Sequence, residues 1–240
     1  MKKLLLLLAI LPFIISCQNK EEVFSENYDL EFITEKLKPG DYKMQLLKDS
    51  ITLQTENNNG LAEVIVHKMQ TPNGKKFEWK QQNFYSEYYD KYVGKLHHIN
   101  LGSLHFISYS DQLVGIIAST KTANNDDITK TINYLTKKYG KPVDLVEAQG
   151  RKSIVEQEFK LYWKNKDKLI GIVMEDGAGI NKDDKGVIPI TTYHIYVINN
   201  NIKQNLEKEK IELADFFSTT ETADSYYFKM ILEDIKSKQK

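Results

Sequence analysis

Short runs in which apolar and polar residues alternate fill most of the chain between residues 51 and 199, and they constrain the fold more than any other feature. A period of two is typical of strands that bury one face. Asn57-Asn58-Asn59-Gly60 predicts a hairpin between the first two runs, and Gly102-Ser103 predicts a tight turn between 95–101 and 103–109. The candidate strands are 51–55, 61–66, 76–80, 84–93, 95–101, 103–109, 112–118, 154–164, 167–175 and 187–199.

One helix interrupts this series, because an apolar stripe at helical spacing starts at Ile128 and ends at Tyr139. Asn124 can cap its beginning and Gly140 its end. Further helices are predicted at 28–37, where Pro39-Gly40 would end the helix, and at 202–217 and 223–237. These elements predict an α+β domain in which an antiparallel meander sheet packs on one long helix and the C-terminal segment, residues 202–237, is helical.

The N-terminus has the order of a secretory signal. Lys2 and Lys3 precede an apolar run, 4–15, that is shorter than the roughly 20 residues of a membrane-spanning helix. Ile14-Ile15-Ser16-Cys17 follows, with the only cysteine of the chain. This segment resembles the lipobox of bacterial lipoprotein signal peptides. The resemblance implies cleavage after residue 16, a diacylglycerol on the Cys17 sulfur and an acyl group on its amine; an ordinary signal peptide with a chance cysteine is the alternative.

Residues 17–26 are expected to form a lipidated, polar tether. Gln18 stands where Asp is associated with retention in the inner membrane, so the resemblance implies the cell outer membrane. Lys20-Glu21-Glu22 is similar to the surface-export signal of Bacteroidota-type lipoproteins, one position later than expected. An acidic, solvated tether with no export role is the other interpretation, so the domain could face outward or into the periplasm.

Composition indicates one globular domain over 27–240, since 41% of the 240 residues are hydrophobic and 28% are charged. Basic and acidic residues number 33 each, and removal of residues 1–16 leaves 31 basic and 33 acidic ones. A nucleic-acid-binding protein would show a basic surplus, so nucleic acid is not an expected partner.

No motif of known catalytic chemistry is present: the sequence has no HExxH, GxSxG, P-loop or GxGxxG. With Cys17 lipidated, no thiol remains for catalysis, a disulfide or a metal. We therefore expect neither a catalytic residue nor a cofactor other than the covalent lipid. A hydrolase with dispersed catalytic residues, for example His98 or His105 beside an acid, remains the alternative.

Tyrosines crowd the segment 84–92, and Tyr85, Tyr88, Tyr89 and Tyr92 are the candidate ligand-binding residues. Aromatic rings offer large rigid surfaces to sugars and to protein partners, although burial in the core is the alternative. A long polar loop at 176–186 is a second candidate contact surface.

Two histidines and an amide are the candidate metal or haem ligands. If 95–101 pairs with 103–109, Asn100 lies opposite His105, and His98 lies on the same face. Half-buried strand residues with one hydrogen bond each are the alternative.

An internal match suggests a hairpin-level duplication around 103–118 and 155–175. Residues 111–117 and 167–173 share four identities in seven, including Gly115 and Gly171, and chance is the competing explanation.

The functional expectation is a lipid-anchored outer-membrane binding module whose partner is a protein or an extracellular polymer such as a glycan. The alternatives are a dispersed-site hydrolase, an immunity-type lipoprotein that neutralises a toxin, and a structural envelope protein.

Overall fold

A computed structural model describes residues 28–34, 36–48, 53–54, 64–71, 73–86, 92–120, 124–144, 160–180, 187–216, 231–233 and 237. The helices are α1 (Pro39–Lys48), α2 (Asn125–Tyr139) and α3 (Lys203–Lys208), and two 3₁₀ turns span Asn200–Ile202 and Leu213–Phe216. The strands are β1 (Leu53–Gln54), β2 (Val64–Gln70), β3 (Lys76–Ser86), β4 (Gly94–Leu96), β5 (Ile99–Leu101), β6 (Ser103–Tyr109), β7 (Gln112–Ser119), β8 (Val143–Asp144), β9 (Lys160–Lys164), β10 (Lys168–Ile180) and β11 (Val187–Asn199).

The described strands form a nine-stranded sheet and a separate β4–β5 hairpin. The order in the large sheet is β1-β3-β6-β7-β11-β10-β9-β8, with β2 also paired to β3. Its ladders are antiparallel, so the predicted α+β class with an antiparallel sheet is confirmed. The chain is a meander only in parts, because β7 lies beside β11 rather than beside the next strand in sequence.

Both faces of the large sheet are covered. Alternate residues of each strand point to opposite faces, and they pack into two separate apolar clusters. One cluster joins the sheet to α1, α2 and the segment that precedes α1; its members include Leu30, Leu46, Phe84, Phe106, Ile128, Leu135, Ile172 and Ile195. The other joins the sheet to the C-terminal elements; its members include Trp79, Ile107, Val173, Tyr196, Leu206, Phe216 and Ile231.

The helices are short. α2 begins and ends where the sequence indicates, with Asn124 as N-cap and the Gly140 N–H donating to the Thr136 carbonyl, but it has only 15 residues. A single long helix under the sheet is therefore not supported. The helical C-terminal segment is not supported either, since α3 has six residues and its neighbours are 3₁₀ turns. Most of the predicted helix 223–237 lies outside the described residues.

The predicted helix at 28–37 is wrong. Residues 28–32 form turns, and α1 begins at Pro39, where the prediction had a helix end. Proline suits the first turn of a helix because its missing N–H would have no helical partner there. Upstream, Asp29 forms a parallel bridge with Lys95, and the buried side chains of Tyr28 and Leu30 belong to the same apolar cluster as Leu96 and Ile99 of the β4–β5 hairpin.

Two predicted hairpins are also wrong. β1 and β2 both pair with β3 rather than with each other. Gly102-Ser103 is not a tight turn, because β5 pairs with β4 while β6 lies between β3 and β7. The backbone of Gly102 instead bridges strands: its N–H donates to Ser119 and its carbonyl accepts from Ser86.

The matching segments 111–117 and 167–173 occupy equivalent places. Each segment includes the beginning of the second strand of an antiparallel hairpin, which is β7 in β6–β7 and β10 in β9–β10. β7 and β10 lie on either side of β11. The duplication itself stays a prediction.

Within the described part of the chain, no helix is long and apolar enough to cross a membrane.

Candidate functional site

A row of polar side chains crosses four strands of the large sheet. Tyr85 pairs with Ser103, Ser103 with Ser119, and Ser119 with His194. Directly opposed residues of antiparallel strands point to the same face, so these four side chains, here called the polar row, share one face. It is the face that carries Trp79, Ile107 and Tyr196 further along the strands.

Short hydrogen bonds join two members of the polar row to each other and a third member to a neighbouring carboxylate. The Ser103 and Ser119 hydroxyl oxygens are 2.6 Å apart. His194 Nε2 lies 2.7 Å from Glu175 Oε2, and the His194 side chain is 9% exposed against 34% for Glu175. An imidazole paired with a carboxylate can hold or transfer a proton, and it can also fix a surface for binding.

A second chain of hydrogen bonds runs beside the row across β2, β3 and β6. His105 Nδ1 lies 2.8 Å from Asn83 Oδ1, which also accepts a hydrogen bond from Gln81 Nε2 at 2.9 Å. Gln81 Oε1 in turn lies 3.1 Å from His67 Nε2. Burial lowers the pKa of His67, although the Gln81 contact opposes that shift. The His105 ring meets the ring of Tyr85 edge-on, with 5.5 Å between centroids.

Both predicted contact surfaces adjoin the polar row. β3 ends at Ser86, one residue after Tyr85, so the part of the tyrosine-rich segment that belongs to β3 lies at one end of the row. At the other end, β10 and β11 pair as far as Ile180 and Val187, beyond their contacts with β9 and β7. Residues 176–180 of the predicted loop 176–186 therefore belong to a two-stranded arm with β11. Tyr88, Tyr89 and residues 181–186 lie outside the described residues.

The three candidate metal ligands do not come together. Asn100 on β5 faces Lys95, whereas His105 on β6 faces Asn83 and Ile117. The prediction failed because it assumed a turn at Gly102. Among the described residues, no group of three or more His, Cys, Asp or Glu side chains is arranged to hold a metal ion.

Tyr92, His98 and Asn100 instead line a small cleft beside the start of α2. The cleft has a volume of about 110 Å³, and its other lining residues are Ile99, Asn124, Asp127 and Ile128. Local bonds fix its walls: the His98 N–H donates to Thr131 Oγ1 at 3.2 Å. Tyr92, a candidate ligand-binding residue, thus shares one cavity, here called the α2 cleft, with two of the candidate metal ligands.

No family model, curated protein or solved structure matches the chain. The site is therefore defined by its own residues. Sequence reasoning missed Ser103, Ser119, Glu175 and His194. Ser103 meets Ser119 across β6 and β7, and Glu175 meets His194 across β10 and β11, but the two pairs adjoin only because β7 pairs with β11, which is distant from it in sequence. Cys17 lies outside the described residues.

Proposed function

We propose that the protein is a lipid-anchored, outer-membrane binding module, without catalytic activity, whose partner is a protein or an extracellular polymer such as a glycan. Cys17 carries the diacylglycerol and the N-acyl group in this proposal. Several acyl chains give stable anchoring, whereas one short chain does not. The candidate contact residues are Tyr85 at the polar row and Tyr92 in the α2 cleft, with Tyr88 and Tyr89 between them in sequence.

The short tether supports a domain that works close to its membrane. Ten residues separate Cys17 from Tyr28, the first described residue. A fully extended chain spans at most ~3.6 Å per residue, so the domain begins within about 40 Å of the lipid surface. Partners of the outer membrane and of the adjoining polymer layer lie within this reach.

The observation that carries the proposal is the position of the polar row. It runs from Tyr85, near the end of β3, to the base of the β10–β11 arm. Ser103 and Ser119 are hydrogen-bonded to each other within the row, and His194 is hydrogen-bonded to the neighbouring Glu175. Ser103 and His194 are buried, whereas Tyr85, Ser119 and Glu175 are partly exposed, so a partner would meet the row at these three side chains. Fixed polar groups beside an aromatic ring favour recognition through hydrogen bonds and ring contacts.

The anchor is tested by membrane fractionation of cells that produce the full chain or its Cys17→Ala variant. The orientation is tested by protease accessibility of the intact cells. The proposal predicts that the full chain partitions with outer membranes and that Cys17→Ala does not. Cleavage in intact cells would support surface exposure. Protection until lysis would place the binding surface in the periplasm and contradict an export role for Lys20-Glu21-Glu22.

A hydrolase is the second candidate, because His194 bonded to Glu175 lies directly opposite Ser119. The Ser119 hydroxyl is however hydrogen-bonded to that of Ser103, and His105 Nδ1 is bonded to the side-chain oxygen of Asn83. Hydrolysis of chromogenic esters by the purified protein tests this candidate. Activity that disappears in Ser119→Ala and persists in Ser103→Ala would favour the hydrolase over the binding module.

A further inference from the structure

The α2 cleft combines an apolar floor with polar walls. Ile99 and Ile128 are buried beneath it, while Asn100, Asn124 and Asp127 bring two amides and a carboxylate to its rim. A hydroxyl group can donate to the carboxylate and accept from an amide. The cleft therefore offers complementary partners for a molecule that carries several hydroxyl groups on an apolar frame.

Several of these polar groups have hydrogen-bonding capacity that the fold does not use. Among the described residues, no hydrogen bond involves the side chains of Tyr92, His98 or Asn100. Asn124 uses its Oδ1 to accept the Asp126 N–H at 2.9 Å, which leaves its Nδ2 as a donor. Polar groups of this kind bind water in solution, and a ligand with hydroxyl groups can replace that water.

The size and the charge of the α2 cleft restrict the class of ligand further. A volume of about 110 Å³ is below the roughly 300 Å³ of pockets for drug-sized molecules, so the cleft takes one edge of a ring. Among the described lining residues, Asp127 is the only Asp, Glu, Lys or Arg. Lys130 Nζ lies 3.6 Å from Asp127 Oδ1, but the Lys130 side chain is 59% exposed. Water weakens an ion pair at such an exposed position.

We propose that the α2 cleft binds one neutral sugar residue of a glycan and discriminates against acidic sugars. This inference rests on the proposed binding function and names its ligand class. Tyr92 provides an aromatic contact, Asn100 and Asp127 bind ring hydroxyl groups, and the negative charge of Asp127 repels a uronate carboxylate.

The test uses the purified full-length lipoprotein in detergent and ligand-observed NMR titrations. Glucose, galactose and mannose are the neutral probes, and glucuronate and galacturonate are their matched acidic forms. We expect at least one neutral hexose to bind about tenfold or more tightly than its uronate. Asn100→Ala is expected to weaken hexose binding about tenfold, the effect of one lost hydrogen bond, whereas Asn133→Ala, an exposed α2 residue outside the cleft, leaves it unchanged.

Asp127→Asn keeps the shape of the cleft and removes its charge, so it should reduce the preference for hexose over uronate. The inference is overturned if none of the three hexoses binds, if the uronates bind equally well, or if Asp127→Asn leaves the preference intact. A protein partner that cross-links at the polar row while no sugar binds would refute this inference alone. Absence of both sugar binding and cross-linked partners would refute the proposed function as well.

Discussion

Glu31 and Lys138 form an ion pair between the segment that follows the tether and the last turn of α2, with 2.7 Å between Oε1 and Nζ. The Glu31 side chain is 1% exposed, whereas that of Lys138 is 41% exposed. Tyr139 also donates its hydroxyl to Glu31 Oε1 at 2.6 Å, and Lys138 Nζ lies 5.3 Å from the centroid of the Phe32 ring. The N-terminal entry to the domain is thus bonded to the helix that lines the α2 cleft.

Loss of the lysine should destabilise the fold because it leaves the Glu31 carboxylate buried without its cation. Lys138→Met is expected to reduce the free energy of unfolding by about 3 kcal/mol, near the lower end for a broken buried pair because Lys138 is partly hydrated. The adjacent Lys137→Met is the matched control. Lys137 is exposed, so that variant should change stability by less than about 0.5 kcal/mol. Equal unfolding midpoints for both variants in urea would contradict this role of the pair.

The same carboxylate makes stability depend on pH. Burial alone would raise the pKa of Glu31, but hydrogen bonds from Lys138, Tyr139 and Tyr134 outweigh it and hold that pKa below its usual 4.5. A lowered folded-state pKa stabilises the protein above the unfolded-state value, and this contribution is lost as pH falls through the folded-state pKa. Glu31→Gln should therefore cost stability at neutral pH and lose less on acidification than the unmodified chain. Parallel acid unfolding curves for the two proteins would contradict the assignment.

The two glycines of the matching segments should differ in their tolerance of alanine. A Cβ at Gly115 would lie 2.9 Å from the backbone carbonyl oxygen of Val197, which cannot move without distorting β11. A Cβ at Gly171 would meet the end of the Ile231 side chain at 3.0 Å, and that side chain can rotate. We expect Gly115→Ala to cost about 1–3 kcal/mol and Gly171→Ala to cost less. Urea denaturation measures the loss of unfolding free energy in both variants. A larger loss in Gly171→Ala than in Gly115→Ala would contradict this difference between the two contacts.

Asn124 should have a structural role separable from any role in the α2 cleft. Its side chain caps α2, so Asn124→Ala is expected to cost about 1 kcal/mol, and Asn124→Ser should retain most of that stability. Thermal unfolding followed by circular dichroism tests the pair. A similar loss in both variants would mean that the amide contributes through contacts other than the cap.

Local patterns predicted the local parts of this fold well. The apolar stripe, Asn124 and Gly140 define α2, and the alternation over 103–109 and 187–199 defines β6 and β11 to the residue. These signals need only neighbours in sequence. Turn residues were less informative, since Gly102 bridges two strands instead of reversing the chain and Pro39 begins a helix instead of following one.

The candidate site depended on information that no local pattern contains. Tyr85 and His105 were selected from sequence and do meet, but through the pairing of β3 with β6. Ser119 and His194 are opposed only because β11 returns to the edge of β7 after the intervening α2, β8, β9 and β10. Pairing between strands so far apart is set by the packing of the two apolar clusters, and the sequence pattern of a single strand does not reveal its neighbour.

Site-specific photo-cross-linking in intact cells tests the binding account most directly. A photoreactive phenylalanine analogue would replace Tyr85 at the polar row, or Lys166 in the exposed turn at the far end of the β9–β10 hairpin. The account predicts a discrete adduct from position 85 that is absent from position 166 and that is lost in the Cys17→Ala background. Anchored, folded protein that gives no adduct from position 85, or the same adduct from both positions, would contradict it.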